Sequence, residues 1–220
     1  MTDQTAQVQD TPAPPGRHAA GQDPAKRHQI LTGAKAVFMQ HGFDAASMND
    51  ICRAAGVSKG TLYVYFDSKE DLFEAMVEQE RDQLFAGVPE ILSGPDAPED
   101  RLFRYGCRVA AIVCSEDVVR AQRIIIGIAA RMPDLGARFF QTGAQRAQTE
   151  LGKFLTAEVA AGRMAIANVP LAAAQFLDLA VSDLWRPRIF GKMPSAPNEA
   201  EIAQRVQSAL AMFLAVHACR

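Results

Sequence analysis

The sequence predicts an all-α fold, a small three-helix module followed by a larger helical body. Three observations carry that prediction. Apolar residues recur at three- and four-residue steps over nearly the whole chain after residue 23. No stretch alternates apolar and polar residues as a half-buried strand would. Gly, Pro, Ser and Asp cluster between the periodic segments, where helices stop and restart.

Each element follows in order. From Pro24 to Gln40, Ile30, Ala34, Val37 and Phe38 fall on one helical face, and His41-Gly42 supplies a C-terminal stop. Ser47 with Asp50 three residues later opens a second helix over 48–55, broken by Gly56. Ser58 caps a third helix of about two turns, ending near Phe66. Ser68 and Asp71 repeat the cap and start a long fourth helix with Leu72, Phe73, Met76, Leu84 and Val88 on its apolar side, closed by Pro89. Further helices are expected over 99–114, 117–130, 134–162, 169–187 and 199–217.

The chain has 220 residues, 49% of them hydrophobic, enough for one or two domains with a sizeable core. Its net charge is −2, but residues 17–69 carry seven Lys/Arg against four Asp, a balance of +3 that leaves −5 on the rest. A basic first module on an acidic body points to a polyanionic partner for that module. Cys52, Cys107, Cys114 and Cys219 form no Cys-x-x-Cys pair and are expected as free thiols in a reducing compartment. No apolar run approaches the ~20 residues of a membrane span, so the expected location is cytoplasmic, with no membrane partner. Residues 1–23, with Pro12, Pro14, Pro15 and Gly16, are expected as a disordered arm. His18, His28, His41 and His217 have no metal-ligand spacing; no metal or other cofactor is implied.

The stretch "GVSKGTLYVYF", residues 56–66, carries the function. A phosphate-binding loop is its first rival, but the Gly-Lys-Thr lacks the upstream glycine and the preceding strand. Three short helices with a tight turn at Ala55-Gly56-Val57 describe a helix-turn-helix instead. Ile51, Ala55, Val57, Leu62 and Phe66 would form its core with Ile30, Val37 and Phe38, and small Ala54 and Ala55 would let helices approach. Ser58, Lys59, Gly60, Thr61, Tyr63 and Tyr65 are left on the exposed side, with donors, a cation and phenolic hydroxyls suited to phosphates and base edges. An all-helical enzyme is the competing class, but no nucleophile–base pair, metal cluster or phosphate loop supports it, and no catalytic residue is assigned.

Residues 30–77, "ILTGAKAVFMQHGFDAASMNDICRAAGVSKGTLYVYFDSKEDLFEAMV", resemble the DNA-binding domain of TetR-family transcriptional regulators. The likeness runs through Gly42-Phe43, Ser47-Met48, Ala55 to Gly60, Leu62-Tyr63, Phe66 and Ser68-Lys69-Glu70. "MPDLGARFF" and "AAAQFLDLAVSDLW" more loosely resemble the C-terminal domain of the AefR-like subgroup. The resemblance implies a helix-turn-helix domain over 24–69 and an effector-binding and dimerisation domain over 70–220. It also implies a homodimer on a palindromic double-stranded operator, most often a repressor released by a small molecule; a form without ligand control, or an activator, is the alternative. By position, Ser47 and Lys69 would hold phosphates, Lys59, Thr61, Tyr63 and Tyr65 would sit in or beside the groove, and Met48, Ser58 and Gly60 would complete the contact set. Tyr65 stands where the family commonly has the histidine of "YxHF", so base preference does not carry over.

The resemblance also places Phe103, Cys107, Phe139, Phe140, Phe176 and Trp185 on helices around a central cavity, implying a mostly apolar effector. The fourth helix would be the lever between cavity and DNA. Ile202, Val206, Leu210, Phe213 and His217 form a stripe on the last helix that could pair with 169–187 across a two-fold axis. Arg101, Arg104 and Arg108 form either a wet face or an anion clamp; Asp178 and Asp183 either face solvent, pair with Arg or anchor a ligand. Arg17, Lys26 and Arg27 could reach DNA or belong to an inert tail.

Overall fold

The computed structural model describes residue 19 and residues 21–219. The arm expected over 1–23, Arg17 included, lies mostly outside them. The all-α class holds: among the described residues the only extended pairing is an isolated bridge between Met164 and Ala218. None of their helices is long and apolar enough to cross a membrane.

The first module forms from local signals. Helix α1 (Pro24–Ala45) starts under Asp23, whose carboxylate accepts from the backbone N–H of Ala25 and Lys26. It leaves helical geometry at Gly42 (φ 77°, ψ 176°), the expected stop, and then makes one more turn that returns Phe43 to the core. There Phe43 stacks on Phe38 at 5.8 Å, and Phe73 meets both edge-on at 5.0 and 5.3 Å. Helix α2 (Met48–Ala55) begins at Ser47 and ends at Gly56, which takes the left-handed conformation (φ 63°, ψ 38°) that glycine adopts without strain. Helix α3 (Lys59–Tyr65) starts at Ser58. The close approach of α1 and α2 depends on Gly33: a Cβ there would lie 2.6–2.7 Å from Ala55 backbone and Cβ atoms.

Helices α4 (Lys69–Leu84), α5 (Val88–Leu92), α6 (Pro98–Val113), α7 (Glu116–Ile128) and α8 (Pro133–Phe140) follow. A π-helical turn over Gln141–Gln145 joins α8 to α9 (Arg146–Ala160). Helices α10 (Val169–Ala180), α11 (Trp185–Ile189) and α12 (Glu199–His217) complete the chain. The division after residue 69 does not coincide with a packing boundary. Leu72, Phe73 and Met76 of α4 share the first module's core, and so do Ile125 and Ile128 of α7 and Leu135 of α8. A second core joins α6, α9, α10 and α12 through Tyr105, Leu151, Phe176 and Phe213.

Three expectations need correction. The fourth helix stops at Leu84, not Val88, because Gly87 turns left-handed (φ 74°) and a separate α5 begins. The long helix expected over 134–162 is widened by the π turn. The helix expected over 169–187 is broken before Trp185, with Asp183 at φ 61°. Pro187 explains the break: it has no N–H for the carbonyl four residues back, that of Asp183, and its ring would collide with it.

The three arginines of α6 are structural. Arg101 bonds Leu92 O and Glu158, Arg104 pairs with Asp96, and Arg108 donates to Leu84 O. Glu158 is 2% exposed and receives Arg163 at 2.5 and 3.1 Å and Arg101 at 3.3 Å. The Arg163 bonds hold its carboxyl below the ordinary value against the opposing effect of burial, with Arg101 assisting. A carboxyl depressed in the folded state stabilises above the unfolded pKa, and that stabilisation is lost as pH falls through the folded value. Glu158→Gln should therefore be less stable than wild type at neutral pH. The gap should narrow below the ordinary pKa of 4.5, which thermal melts across acid pH will show.

Candidate nucleic-acid interface and effector cavity

The helix-turn-helix presents a polar front. The Ser58 hydroxyl accepts from Thr61 N at 3.0 Å and lies 2.8 Å from the Thr61 hydroxyl, holding the first turn of α3 together. Lys59 and Gly60 are exposed, and the Lys59 ammonium sits 5.9 Å from the ring of Tyr63, which is itself 44% exposed. At the start of α2, Ser47 accepts from Asp50 N and bonds its carboxyl, which holds that carboxyl below its ordinary value. Met48 is half-buried against the module's core, so only part of it faces outward. Ser58 thus caps α3, and Lys59, Gly60 and Tyr63 are exposed around its first turns.

Two expected contact residues are engaged elsewhere. The Lys69 ammonium donates to Phe43 O at 2.8 Å and Ala46 O at 3.1 Å, with Asp44 O at 3.5 Å, and lies 4.5 Å from the Phe43 ring. It closes the carbonyl end of α1, a favourable place for a cation. Tyr65 is half-buried, and its hydroxyl accepts from Asp23 N at 3.3 Å, tying the end of α3 to the start of α1. Lys59 and Lys69 should consequently differ on mutation. Lys59→Ala should lower the salt slope of DNA binding by about one unit. Lys69→Ala should leave that slope in place and lower the melting temperature, as fluorescence anisotropy titrations and thermal melts will show.

Above this module lies a cavity of about 480 Å³. Its wall draws on α1 (Lys35, Met39), α4, α6, α7, the π turn and α10. It is chiefly apolar, and the exposed Ile126 and Phe140 mark its mouth. The π turn contributes Thr142, Gly143 and Ala144; such widened turns recur at functional sites. Lys35 bridges three helices here, pairing with Glu80 of α4 at 2.5 Å and Asp117 of α7 at 2.9 Å. Burial alone would lower the Lys35 pKa, but the bonds to the two carboxylates outweigh it and hold it above the ordinary value.

Two family models match the chain. Residues 30–76 match the model for bacterial regulatory proteins of the tetR family, and residues 100–219 match the C-terminal domain of AefR-like transcriptional repressors. The chain belongs to the TetR family. It is a DNA-binding transcriptional regulator. Among solved structures it is similar to a TetR-family regulator from Mesorhizobium loti, with TM-score 0.80 and 26% identity over 89% of this chain and 98% of that one. It is also similar to the flavonoid-responsive regulator FrrA, with TM-score 0.76 and 30% identity over 90% of this chain and all of FrrA. The regulator UidR of Escherichia coli K12 is 40% identical over 31% of this chain, and the repressor KstR2 of Mycobacterium tuberculosis 35% identical over 38%. These curated matches span only 35% and 42% of those two proteins.

Within this TetR fold, three of the six expected effector residues line the cavity: Phe139, Phe140 and Trp185. The other three do not. Phe176 is fully buried edge-on to Phe213 at 5.3 Å, and Phe103 and Cys107 pack on the α6 side facing α12. Burial raises the Cys107 thiol pKa. The two faces lie on roughly opposite sides of α6, about half a turn apart: Val109, Ile112 and Val113 line the cavity instead. The sequence reading also missed Lys35, Arg81, Gln122 and Gln148 on the wall. Gln122 accepts the Trp185 indole N–H at 2.8 Å. Of the two acidic residues singled out earlier, Asp178 lines the cavity and Asp183 pairs with Arg205 at 3.4 Å.

Proposed function

We propose that this regulator is a ligand-controlled repressor that binds a palindromic operator as a two-fold dimer and is released by a small, largely apolar effector. One observation carries the reading: the cavity wall includes Lys35 and Met39 of α1, the helix that packs directly on α2. An occupant of the cavity therefore touches the DNA-binding module itself, and α4 runs from the module along the same wall. A ligand that favours one setting of these helices shifts the spacing of two recognition helices, which must lie about 34–36 Å apart to meet successive grooves. The likeness to the flavonoid-responsive FrrA supports a planar aromatic effector, and the apolar wall with Phe139, Phe140 and Trp185 suits such a frame. The Ser47, Met48, Ser58, Lys59, Gly60, Thr61 and Tyr63 face is the proposed DNA contact.

The stripe expected on α12 is taken up by the chain's own core. Ile202, Val206, Leu210 and Phe213 are all buried within one chain, at most 5% exposed. The outward side of α12 carries Ser208, Ala211, Met212, Ala215 and Val216, and the adjoining α10 adds Leu171. These small and apolar exposed residues are the proposed isologous contact.

The test uses the operator recovered by sequencing genomic fragments retained on the purified protein. Mobility shifts with a panel of aromatic ligands compare wild type with Ala121→Trp, whose indole would fill the cavity from α7. Release of the wild type and not of the filled variant is expected. Release of both alike would place the effector site elsewhere, and no response to any ligand would favour a constitutive regulator.

A further inference from the structure

Arg81, a residue of the cavity wall, keeps one buried guanidinium nitrogen without an acceptor. Arg81 of α4 has a side chain only 14% exposed, and it lines the cavity. Its Nε and Nη2 both donate to Asp82 Oδ1, at 3.2 and 2.9 Å, while Nη1 is buried with no hydrogen-bond partner. A buried guanidinium N–H in that state carries an uncompensated desolvation cost, which native structures ordinarily relieve. Asp82 does not relieve it, because the same oxygen also receives Arg146 Nη1 at 3.1 Å. Two guanidinium groups thus share one carboxylate, and Arg146 directly follows the π turn. The other cation on the wall, Lys35, is already paired with two carboxylates. Gln122 adds a second donor: its oxygen is taken by the Trp185 indole, which orients its amide N–H groups toward other acceptors.

We infer that the effector carries an acidic oxygen, a carboxylate or an ionised phenol, and that the Arg81 guanidinium, turning its unpartnered Nη1 to the cavity as the ligand enters, is the contact selecting it. The inference rests on the cavity being the effector site. A charge-assisted bond to a guanidinium is shorter and stronger than a neutral one, and in a largely apolar cavity it sets orientation as well as affinity. Acidic ligands should therefore bind in preference to neutral ligands of the same shape.

The experiment uses the full chain and three matched pairs on different apolar frames. They are biphenyl-4-carboxylate and its methyl ester, dodecanoate and its methyl ester, and 7-hydroxyflavone and 7-methoxyflavone. Binding is read by isothermal titration calorimetry in wild type, Arg81→Gln and the cavity-filled Ala121→Trp. The expected result is that the acidic member binds about tenfold tighter or better on at least one frame. Arg81→Gln should reduce that preference to within about twofold, while its ligand-free melting temperature holds or rises because an unsatisfied donor has gone. The frame that shows the preference separates a carboxylate ligand from a phenolic one. Equal binding of acid and methyl form on every frame would overturn the role of Arg81 and leave the cavity reading intact. So would an acid preference that survives Arg81→Gln, or a marked fall in that variant's melting temperature. If no member of any pair binds, or binding persists in Ala121→Trp, the cavity reading fails and this inference with it.

Discussion

Arg188→Leu should lower the stability of the protein by about 3–5 kcal/mol, because three backbone carbonyls lose their donor at once and each costs about 1–3 kcal/mol if left buried. Arg188 is 1% exposed. Its Nε donates to Cys114 O at 3.1 Å, and its Nη1 to Met193 O at 3.0 Å and Pro194 O at 2.5 Å. Nη2 reaches the exposed Glu116 carboxylate at 2.8 Å and holds its pKa below the ordinary value. One guanidinium thus ties the end of α6, the start of α7 and the loop after α11. Leucine keeps much of the volume and none of the donors. Urea unfolding should show a lower midpoint with the slope unchanged, the mark of lost stability and not of an altered unfolded state. A loss under about 1 kcal/mol would mean that water reaches the three carbonyls once the side chain is gone.

The second large effect concerns assembly. Met212→Glu with Ala215→Glu should turn the dimer into a folded monomer and weaken operator binding by about 10²–10⁴-fold, the advantage lost when two linked half-sites are no longer engaged together. Met212 is 49% exposed and its neighbour Val216 73%, so in one chain the two charges meet solvent and their mutual i,i+3 repulsion costs only about 0.2–0.5 kcal/mol, while in the dimer they also face their copies across the two-fold axis. Phe213→Glu is the contrasting control. Phe213 is 4% exposed and packed edge-on to Phe176, so a carboxylate there should unfold the chain, with a loss on the order of 3–5 kcal/mol. Sedimentation velocity at micromolar concentration separates the outcomes. A double variant that still sediments as a dimer would move the interface off the outer face of α12.

The recognition module was legible because its signals are local. Ser47, Ser58 and Ser68 each cap a helix through a backbone N–H three residues on, and Gly56 makes its own turn. No distant residue is needed to read them. The break before Trp185 was equally local, since Pro187 marks it, and the periodicity of the surrounding apolar residues concealed it. The cavity was legible only in half. Aromatic side chains on cavity-lining helices and in the core have the same composition, so Phe139 and Phe176 read alike in the sequence. What separates them is what each meets in the packed fold: Phe139 of α8 lines the cavity, and Phe176 of α10 packs on Phe213 of α12.

By itself, then, the sequence determined the all-α class, the order of the helices, the capped turn geometry of the DNA-binding module and its family. All of these rest on interactions spanning a few residues. Only the tertiary structure decided which face of α12 is core, that Lys69 closes α1, that Glu158 and Arg188 bind buried partners, and that Arg81 is left with an unanswered donor. A helix's period states that one face is buried, not against what. A charged side chain's sequence neighbours do not reveal which distant carbonyl or carboxylate folding will bring within 3 Å of it.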